Sequence, residues 1–532
     1  MTKKTIFPLL VIALTVAGPG FAQQAPQPQS DQGAMSISLD ECIARALRDN
    51  LGIAIQVLNP EISAAAVTQA EAKFVPTLSL SARAANTENA SYSYLDSAES
   101  LIDKTQNYTF LNASQPLPTG GTLSFDFSGS KTSSNRTGQT INPRYSTTFR
   151  LNFTQPLLKN FGSKISRNQI LVAKNDLGVS EESLRKTLQD TVYNVENAYW
   201  NLVYSIENLD VRRQSLQLAK DLLEKNQRSV EVGTLAPMEV LSAQAEVATR
   251  EADLIQAETQ IKNNEDQLKL LLRFTSAEDQ AVTAILPKDK PTYTVREVDL
   301  DEALTAAIQN RTDLEISRIG IETEKLNVSY AKNQVLPDLS VSASFYSPGI
   351  DGTRLFFTDN DPIYGTVIPE LTEYGDISGA MKQTARFQYP NWNLGLTLSI
   401  PVASVFSRAS LAQAKLSMRQ ALLDIENQKS QAYVEVKTAV RSVQANYKRI
   451  LAYTTARELA EQKLAAEEEK RRVGMSTNYM VLSYQRDLAN ARISELNAIV
   501  SYNVSLAALE RSMGTNLASR NIQFTDFLPA SH

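Results

Sequence analysis

Side chains able to do chemistry are scarce in this sequence. Its 532 residues hold one histidine, His532, and one cysteine, Cys42. A histidine at the last position offers no source for imidazole catalysis or for a His-rich metal site. A single cysteine permits no intrachain disulfide, and Cys42 reads as a small buried helix residue rather than a reactive thiol. The sequence holds no phosphate-cradling glycine loop, no metal-ligand cluster and no nucleophile beside a histidine base. The expectation is a protein that is not an enzyme, with no metal and no cofactor. The net charge is −5, and a mildly acidic chain gives no support for nucleic-acid binding.

Lys3 and Lys4 precede an apolar run over residues 6–17, and Gly20-Phe21-Ala22 supplies small residues where a signal peptidase reads. This predicts a secretory signal over residues 1–22. Its loss removes two lysines and no acid, taking the charge from −5 to −7. The signal region has no lipid-accepting cysteine. Residues 23–37, rich in Gln and Pro at their start, read as a flexible leader. Beyond the signal no apolar stretch reads as long enough for a spanning helix. The exported chain is then either soluble or crosses a membrane as a β-barrel, whose backbone is fully paired.

The elements that position the remaining polar side chains come in two copies. Leu39-Asp40-Glu41-Cys42-Ile43-Ala44-Arg45-Ala46-Leu47 returns as Leu300-Asp301-Glu302-Ala303-Leu304-Thr305-Ala306-Ala307-Ile308. Val75-Pro76-Thr77-Leu78-Ser79-Leu80 returns as Leu336-Pro337-Asp338-Leu339-Ser340-Val341. Both pairs (39 with 300, 76 with 337) share an offset of 261 positions. Phe153-Thr154-Gln155-Pro156-Leu157 pairs with Leu398-Ser399-Ile400-Pro401-Val402, and Val232-Gly233-Thr234 with Val473-Gly474-Met475. Each copy reads as short helices, strands, a very long helix, a Val-Gly turn and a returning helix. The predicted units are repeat 1 over 38–272, a linker over 273–298, repeat 2 over 299–514 and a tail over 515–532.

The strand segments alternate. Leu78, Leu80 and Ala82 oppose Ser79, Ser81 and Arg83, and Leu339, Val341 and Ala343 oppose Ser340, Ser342 and Ser344. One apolar and one polar face suits a barrel wall greasy outside and wet inside. Strands are expected over about 77–155 and 338–401. The first copy carries a surplus around Pro116-Leu117-Pro118-Thr119-Gly120-Gly121, which reads as an additional hairpin near 108–128. Residues 349–388 read as an exposed loop.

The helical hairpins are expected over 165–272 and 405–513. Leu188, Val192, Val195, Tyr199, Leu202, Ile206 and Leu209 alternate spacings of four and three, and Val240, Val247, Leu254, Ile261 and Leu268 fall every seventh residue. Such heptads belong to helices that supercoil around partners. Gly233 and Gly474 interrupt them as helix-ending turns.

Duplicated strands joined to long helical hairpins in an exported chain resemble the TolC-like outer membrane efflux proteins. The residues that carry the resemblance are the two Leu-Asp-Glu segments, Pro76 and Pro337, and the two Val-Gly turns. The resemblance implies an α+β membrane protein of two tandem structural repeats, assembled as a homotrimer. Four strands per protomer would build one twelve-stranded β-barrel in the outer membrane of a Gram-negative-type cell, continued by a periplasmic α-helical coiled-coil barrel. It implies a passive exit duct for efflux or type I secretion, with a periplasmic adaptor and an inner-membrane pump as partners. Val232, Gly233, Thr234, Val473, Gly474, Met475 and Ser476 would dock the adaptor. The family's acidic gate ring would fall on Met480 and Ser483, which carry no charge. Glu239 matches an acidic link position, and contact with Arg471 or Arg472 is expected to hold the closed state. The rival reading is a structural coiled-coil surface protein or adhesin without transport activity, which predicts heptads without paired strand inserts.

Overall fold

The computed structural model describes residues 34–91, 100–274, 279, 282–400 and 404–527. The signal segment, residues 23–33, Pro401, Val402 and His532 lie outside the described residues. The first half runs β1 (Ala34–Ile37), α1 (Leu39–Asp49), α2 (Leu51–Glu71), β2 (Thr77–Ala90), β3 (Ser100–Pro116), β4 (Thr122–Ser134) and β5 (Ile141–Pro156). A single turn α3 (Ser163–Ser166), then α4 (Asn168–Glu231) and α5 (Pro237–Leu271), complete it. The second half runs β6 (Ala284–Pro287), α6 (Leu300–Asn310), α7 (Thr312–Gln334), β7 (Asp338–Arg354), α8 (Ile377–Ala385) and β8 (Asn391–Ser399). It ends in α9 (Val405–Arg472), α10 (Asn478–Met513) and the short α11 (Asn516–Ser519).

Along α4 the heptad residues are buried except Ile206, which is half-buried, while α5 buries Val247 and Leu268 of its series and leaves Val240, Leu254 and Ile261 half-buried. Leu188, Val192, Val195, Tyr199, Leu202 and Leu209 of α4 are buried, as are Val436, Val440, Val443 and Ile450 of α9. Each stripe meets its returning helix, α5 or α10, and α4 also packs on α10. At ~1.5 Å per residue the 64-residue α4 is ~96 Å long. Above the middle of the molecule the helices lie side by side in the order α2, α4, α7, α9.

A belt closes around the midpoint of α4. Ile37, Leu39, Cys42, Ile43, Ala46 and Leu47 pack with Leu188, Val192, Val195, Tyr199, Leu202, Leu268, Ile285 and Leu517 in one core. Ser38 caps α1 reciprocally with Glu41, satisfying end donors of the helix. The tail is clipped on by polar contacts: Arg520 reaches the buried Glu196 at 2.7 Å and Asp40 at 3.0 Å. Two findings here depart from the sequence reading. The last residues of the expected leader, Ala34–Ile37, are strand β1, paired in parallel with β6. And α2, extended through residue 74, is long and apolar enough to cross a membrane by length and composition. The chain argues otherwise for its role: α2 packs along α4 and ends two residues before the sheet begins.

The sheet also departs from expectation. It has six strands in the order β2-β3-β4-β5-β7-β8, all antiparallel, rather than the four per protomer that the resemblance implied. The surplus hairpin β3–β4 pairs along its length with β2 on one side and β5 on the other. Its turn is fixed where the sequence signalled it: the Leu117 N–H bonds the Gly121 carbonyl at 2.7 Å. Gly120 holds φ +95° there, and a Cβ would sit 2.1 Å from the Asn160 carbonyl, so only glycine fits. The expected loop over 349–388 begins later, because β7 continues to Arg354, and it contains the helix α8.

Cys42 is fully buried, and desolvation pushes its thiol up to about 12. Reaction requires thiolate. The folded protein is expected to resist a maleimide at pH 7.5 and to label stoichiometrically once denatured; mass spectrometry before and after denaturation checks this.

Candidate docking turns and duct face

The two hairpin tips are built alike. At the first, the Gly233 N–H bonds the Val230 carbonyl at 2.9 Å and the Thr234 N–H the Ser229 carbonyl at 2.8 Å. At the second, the Gly474 N–H bonds the Arg471 carbonyl at 3.1 Å and the Met475 N–H the Lys470 carbonyl at 2.9 Å. This pair of bonds satisfies the orphan carbonyls of a helix end and needs a left-handed residue between them. Gly233 and Gly474 supply it with φ +78° and +81°. Neither glycine has an atom within 4 Å of where a Cβ would stand, so the requirement is the backbone angle alone. The next helices restart at once, α5 on Pro237 in its first turn and α10 with Thr477 as its cap.

What the tips present is apolar. Val232, Met238, Leu241, Val473, Met475 and Tyr479 are all well exposed. Isolated exposed apolar side chains are ordinary, but three at the end of each hairpin are the kind of exposure that marks a contact surface. Ser476 is engaged locally: its hydroxyl donates to Glu467, and with the Lys470 ammonium it holds that carboxyl below its usual range.

The gate candidates do not meet within one chain. Arg472 pairs with Glu469, and among the described residues Glu239 and Arg471 make no ion pair. Met480 is partly exposed on the first turn of α10, its N–H bonded by Thr477 at 3.4 Å, and Ser483 follows one turn on. A different contact ties the hairpins together. Arg250 on α5 is buried; its guanidinium donates to the Ser215 carbonyl at 2.7 Å, to the Ser215 hydroxyl at 3.0 Å and to the Leu482 carbonyl at 3.3 Å. Leu482 lies between Met480 and Ser483, so α5 is fastened to α10 beside the expected gate positions. The sequence carried a signal for this. Arg250 falls four residues before Leu254 and three after Val247, on a seam position where charge is costly unless partnered. Asn226 occupies the corresponding seam on α4, buried, with its amide 3.4 Å from the Glu239 carbonyl.

The sheet supplies the other functional surface. Phe125, Phe127, Phe149, Leu151, Phe153, Ala343, Phe345, Trp392 and Leu394 share one face through the strand register. The opposite face carries Ser124, Asp126, Ser128, Arg150, Asn152, Ser342, Ser344 and Asn393, with Asp126 directly across from Arg150. An apolar face over Phe125 to Phe153 opposite a polar one across the same stretch of sheet suits a wall with lipid on one side and water on the other.

Strands of this kind continued by long helical hairpins are the architecture of a class of solved outer-membrane channels. The fold matches the solved Campylobacter jejuni CmeC outer membrane channel with a TM-score of 0.65 at 15% identity, covering 92% of this chain and 90% of that one. It matches Vibrio cholerae VceC with a TM-score of 0.63 at 18% identity, over 90% of this chain and 96% of that one. In sequence, the outer membrane protein TolC of Vibrio cholerae serotype O1 is 24% identical over 368 residues, 69% of this chain and 76% of the relative. The outer membrane efflux protein BepC of Brucella suis biovar 1 is 21% identical over 371 residues, 69% of this chain and 73% of the relative. The outer membrane efflux protein family itself matches residues 122–272 and 303–515, and the chain belongs to it. The protein is an outer-membrane protein with the general role of an efflux channel, and its relatives are channels rather than enzymes.

Truncating Arg250→Ala removes the charged donor that bridges Ser215 on α4 to the Leu482 carbonyl on α10 and leaves Glu246 without its partner, a loss of roughly 1.5–3 kcal/mol. Hydrogen exchange is expected to quicken in α5 and the first turns of α10 and to stay unchanged in the belt around Tyr199. Uniform exchange throughout would show that Arg250 does not join the hairpins.

Proposed function

We propose that three copies of this chain close around one axis into a continuous exit duct that passes cargo from a periplasmic adaptor and inner-membrane pump to the outside. The observation that carries this reading is that the protomer is an open wall segment with apolar, unpaired sides. The sheet ends at β2 and β8, and the helix layer ends at α2 and α9. On α2, Leu51, Ile55, Leu58 and Ile62 are exposed at spacings of four, three and four. That is a heptad stripe without a partner among the described residues of its own chain. On α9, Leu416 and Leu423 are exposed seven residues apart, and Tyr433 is exposed as well. An open strand edge cannot persist in hydrocarbon, so the sheet has to close with copies of itself. The stripe of one α2 against the next protomer's α9 covers both helix flanks under the same rotation.

Three sheets of six strands give an eighteen-stranded barrel rather than the twelve-stranded one of the resemblance. Barrels of that size leave an aqueous channel. The polar face with Asp126 and Arg150 lines the bore, and the phenylalanine face meets lipid. The adaptor docks on Val232, Gly233, Thr234, Val473, Gly474, Met475 and Ser476, whose exposed apolar side chains supply the contact. Since among the described residues Glu239 has no arginine partner in its own chain, a gate pair with Arg471 or Arg472 forms between protomers, beside the uncharged Met480 and Ser483. The pump selects the cargo, and nothing in the bore specifies a single substrate.

The replacement of Ile55 and Ile62 by lysine buries charge at the seam. The wild-type protein is expected to run as a heat-labile trimer after detergent extraction from outer membranes, and the double variant as a monomer. A wild-type monomer would overturn the reading. In planar bilayers the trimer should conduct, and Glu239→Ala should raise the open fraction at the closed tip; unchanged gating would remove Glu239 from the gate.

A further inference from the structure

The connection between β7 and β8 does more than turn the chain. Its helix α8 lies flat on the sheet across β5 and β7. Thr384 and Thr147 are both buried, with their hydroxyls 2.7 Å apart, and Ala380 is buried against Gly349, where a Cβ would stand 2.1 Å from the Ala380 carbonyl. The next ring along, Phe387, packs edge-on to Phe149 at 5.5 Å and tilts over Phe345 at 5.7 Å.

Thr147 and Phe149 belong to the same face of β5, the one that carries Leu151 and Phe153. Gly349, Ser347 and Phe345 are their partners on β7. So α8 sits on the apolar side of the wall, opposite Arg150 and Asp126. Resting on the barrel reading above, that side faces lipid. The height follows from the strand. From Leu339 to Gly349 this side of β7 runs ten residues, ~34 Å along the strand, apolar at Leu339, Val341, Ala343 and Phe345 and ending in Ser347 and Gly349. At a tilt of about 40° this is a vertical rise of ~26 Å, the thickness of the apolar band of an outer-membrane barrel. The layer of Gly349 and Thr147, on which α8 rests, therefore falls at the upper edge of the hydrocarbon.

What α8 offers at that level is specific. Ala380 and Thr384 face the sheet, and Lys382 and Arg386, one turn apart, lie on the other side of the helix, exposed. Among the described residues neither forms an ion pair. Phe387, Tyr389 and Trp392, 46%, 52% and 78% exposed, continue the same surface downward. Around the wall at matching height the Lys131 ammonium lies 5.5 Å from the Tyr145 ring, on the same face. Cations above aromatic rings above an aliphatic band is the order of a membrane interface read from water to hydrocarbon.

We propose that α8 is an external collar that binds the phosphate-bearing headgroups of the outer leaflet through Lys382 and Arg386, with Phe387, Tyr389 and Trp392 seated in the layer beneath. The β7–β8 connection stands outside the bore and does not plug it.

Three single-cysteine proteins, each in a Cys42→Ala background, test the collar: Arg386→Cys on α8, Leu394→Cys in the apolar band and Arg150→Cys on the polar face. Each is spin-labelled and reconstituted into vesicles containing phosphatidylglycerol. The Leu394 label should collide mainly with oxygen and the Arg150 label mainly with a water-soluble nickel chelate. The Arg386 label should fall between them, at headgroup depth. A Leu394 label open to the chelate would overturn the barrel reading itself. A normal Leu394 label with an Arg386 label as chelate-accessible as Arg150 would overturn the collar alone. As a second measurement, Lys382→Gln with Arg386→Gln should lower the preference for phosphatidylglycerol over phosphatidylcholine vesicles severalfold while conductance stays at the wild-type value. An unchanged preference removes the phosphate contact, and a raised conductance would place the connection in the bore.

Discussion

Hydrocarbon cannot hydrogen-bond a peptide group, and this one constraint organises the molecule. Each unpaired N–H or C=O in lipid costs several kcal/mol, so a sheet that spans a membrane has to end on another strand. Here, among the described residues, β2 and β8 pair with no further strand on their outer sides. The helix layer poses the same problem in a different currency of interaction: α2 carries an exposed heptad stripe, and its loss is of apolar burial rather than hydrogen bonds. The two problems have one solution because the free sides coincide in the chain. β2 follows α2 directly, and α9 follows β8. A rotation that brings β8 to a neighbour's β2 also carries α9 toward that neighbour's α2.

Within a protomer the long helices are held by apolar seams, and polar residues on those seams act as locators. Leucine and valine stripes slide with little penalty for a shift of one heptad. Asn226 and Arg250 do not, because each has to find a particular carbonyl. A buried polar group on a seam commonly fixes register at some cost in stability. Both lie in the lower part of the hairpins, away from the large belt core around Tyr199, where packing is thinner: the local cluster there is Leu216, Ala219 and Val247. Register is thus set by shape at the belt and by polar contacts near the tips.

Much of this was legible in the sequence, and the reasons differ by element. Heptads over tens of residues are a strong signal because every seventh position repeats the same demand, and of the series from Leu188 to Leu209 all but the half-buried Ile206 are buried. The turn at Gly120 and Gly121 was visible because only glycine tolerates that backbone. The strand number was harder. Alternation shows that a segment has two faces but is silent on how many neighbours it pairs with, so the hairpin at β3–β4 could be seen while its place between β2 and β5 could not. Helix α8 escaped altogether: nine residues give no period, and its anchor is two threonines and a glycine. Short β1 failed for the same reason. At the tips, the glycines were readable as turns, whereas the Arg250 contact depends on which helices are neighbours, and no local pattern states that.

The surplus hairpin also has a geometric consequence that links the two layers. Six strands spaced ~4.8 Å apart and tilted about 40° occupy an arc of ~38 Å. Four helices at interaxial distances of about 8–10 Å occupy ~32–40 Å. The helices abreast of one another next to the sheet are four: α2, α4, α7 and α9. Sheet and helix layer therefore subtend nearly equal widths, and the chain passes from one to the other without a marked change in radius. Four strands would cover only ~25 Å by the same geometry, and the wall would have to narrow or its strands lean further to meet the same helices. In the proposed duct the hairpin β3–β4 thus keeps the bore through the membrane as wide as the bore beneath it.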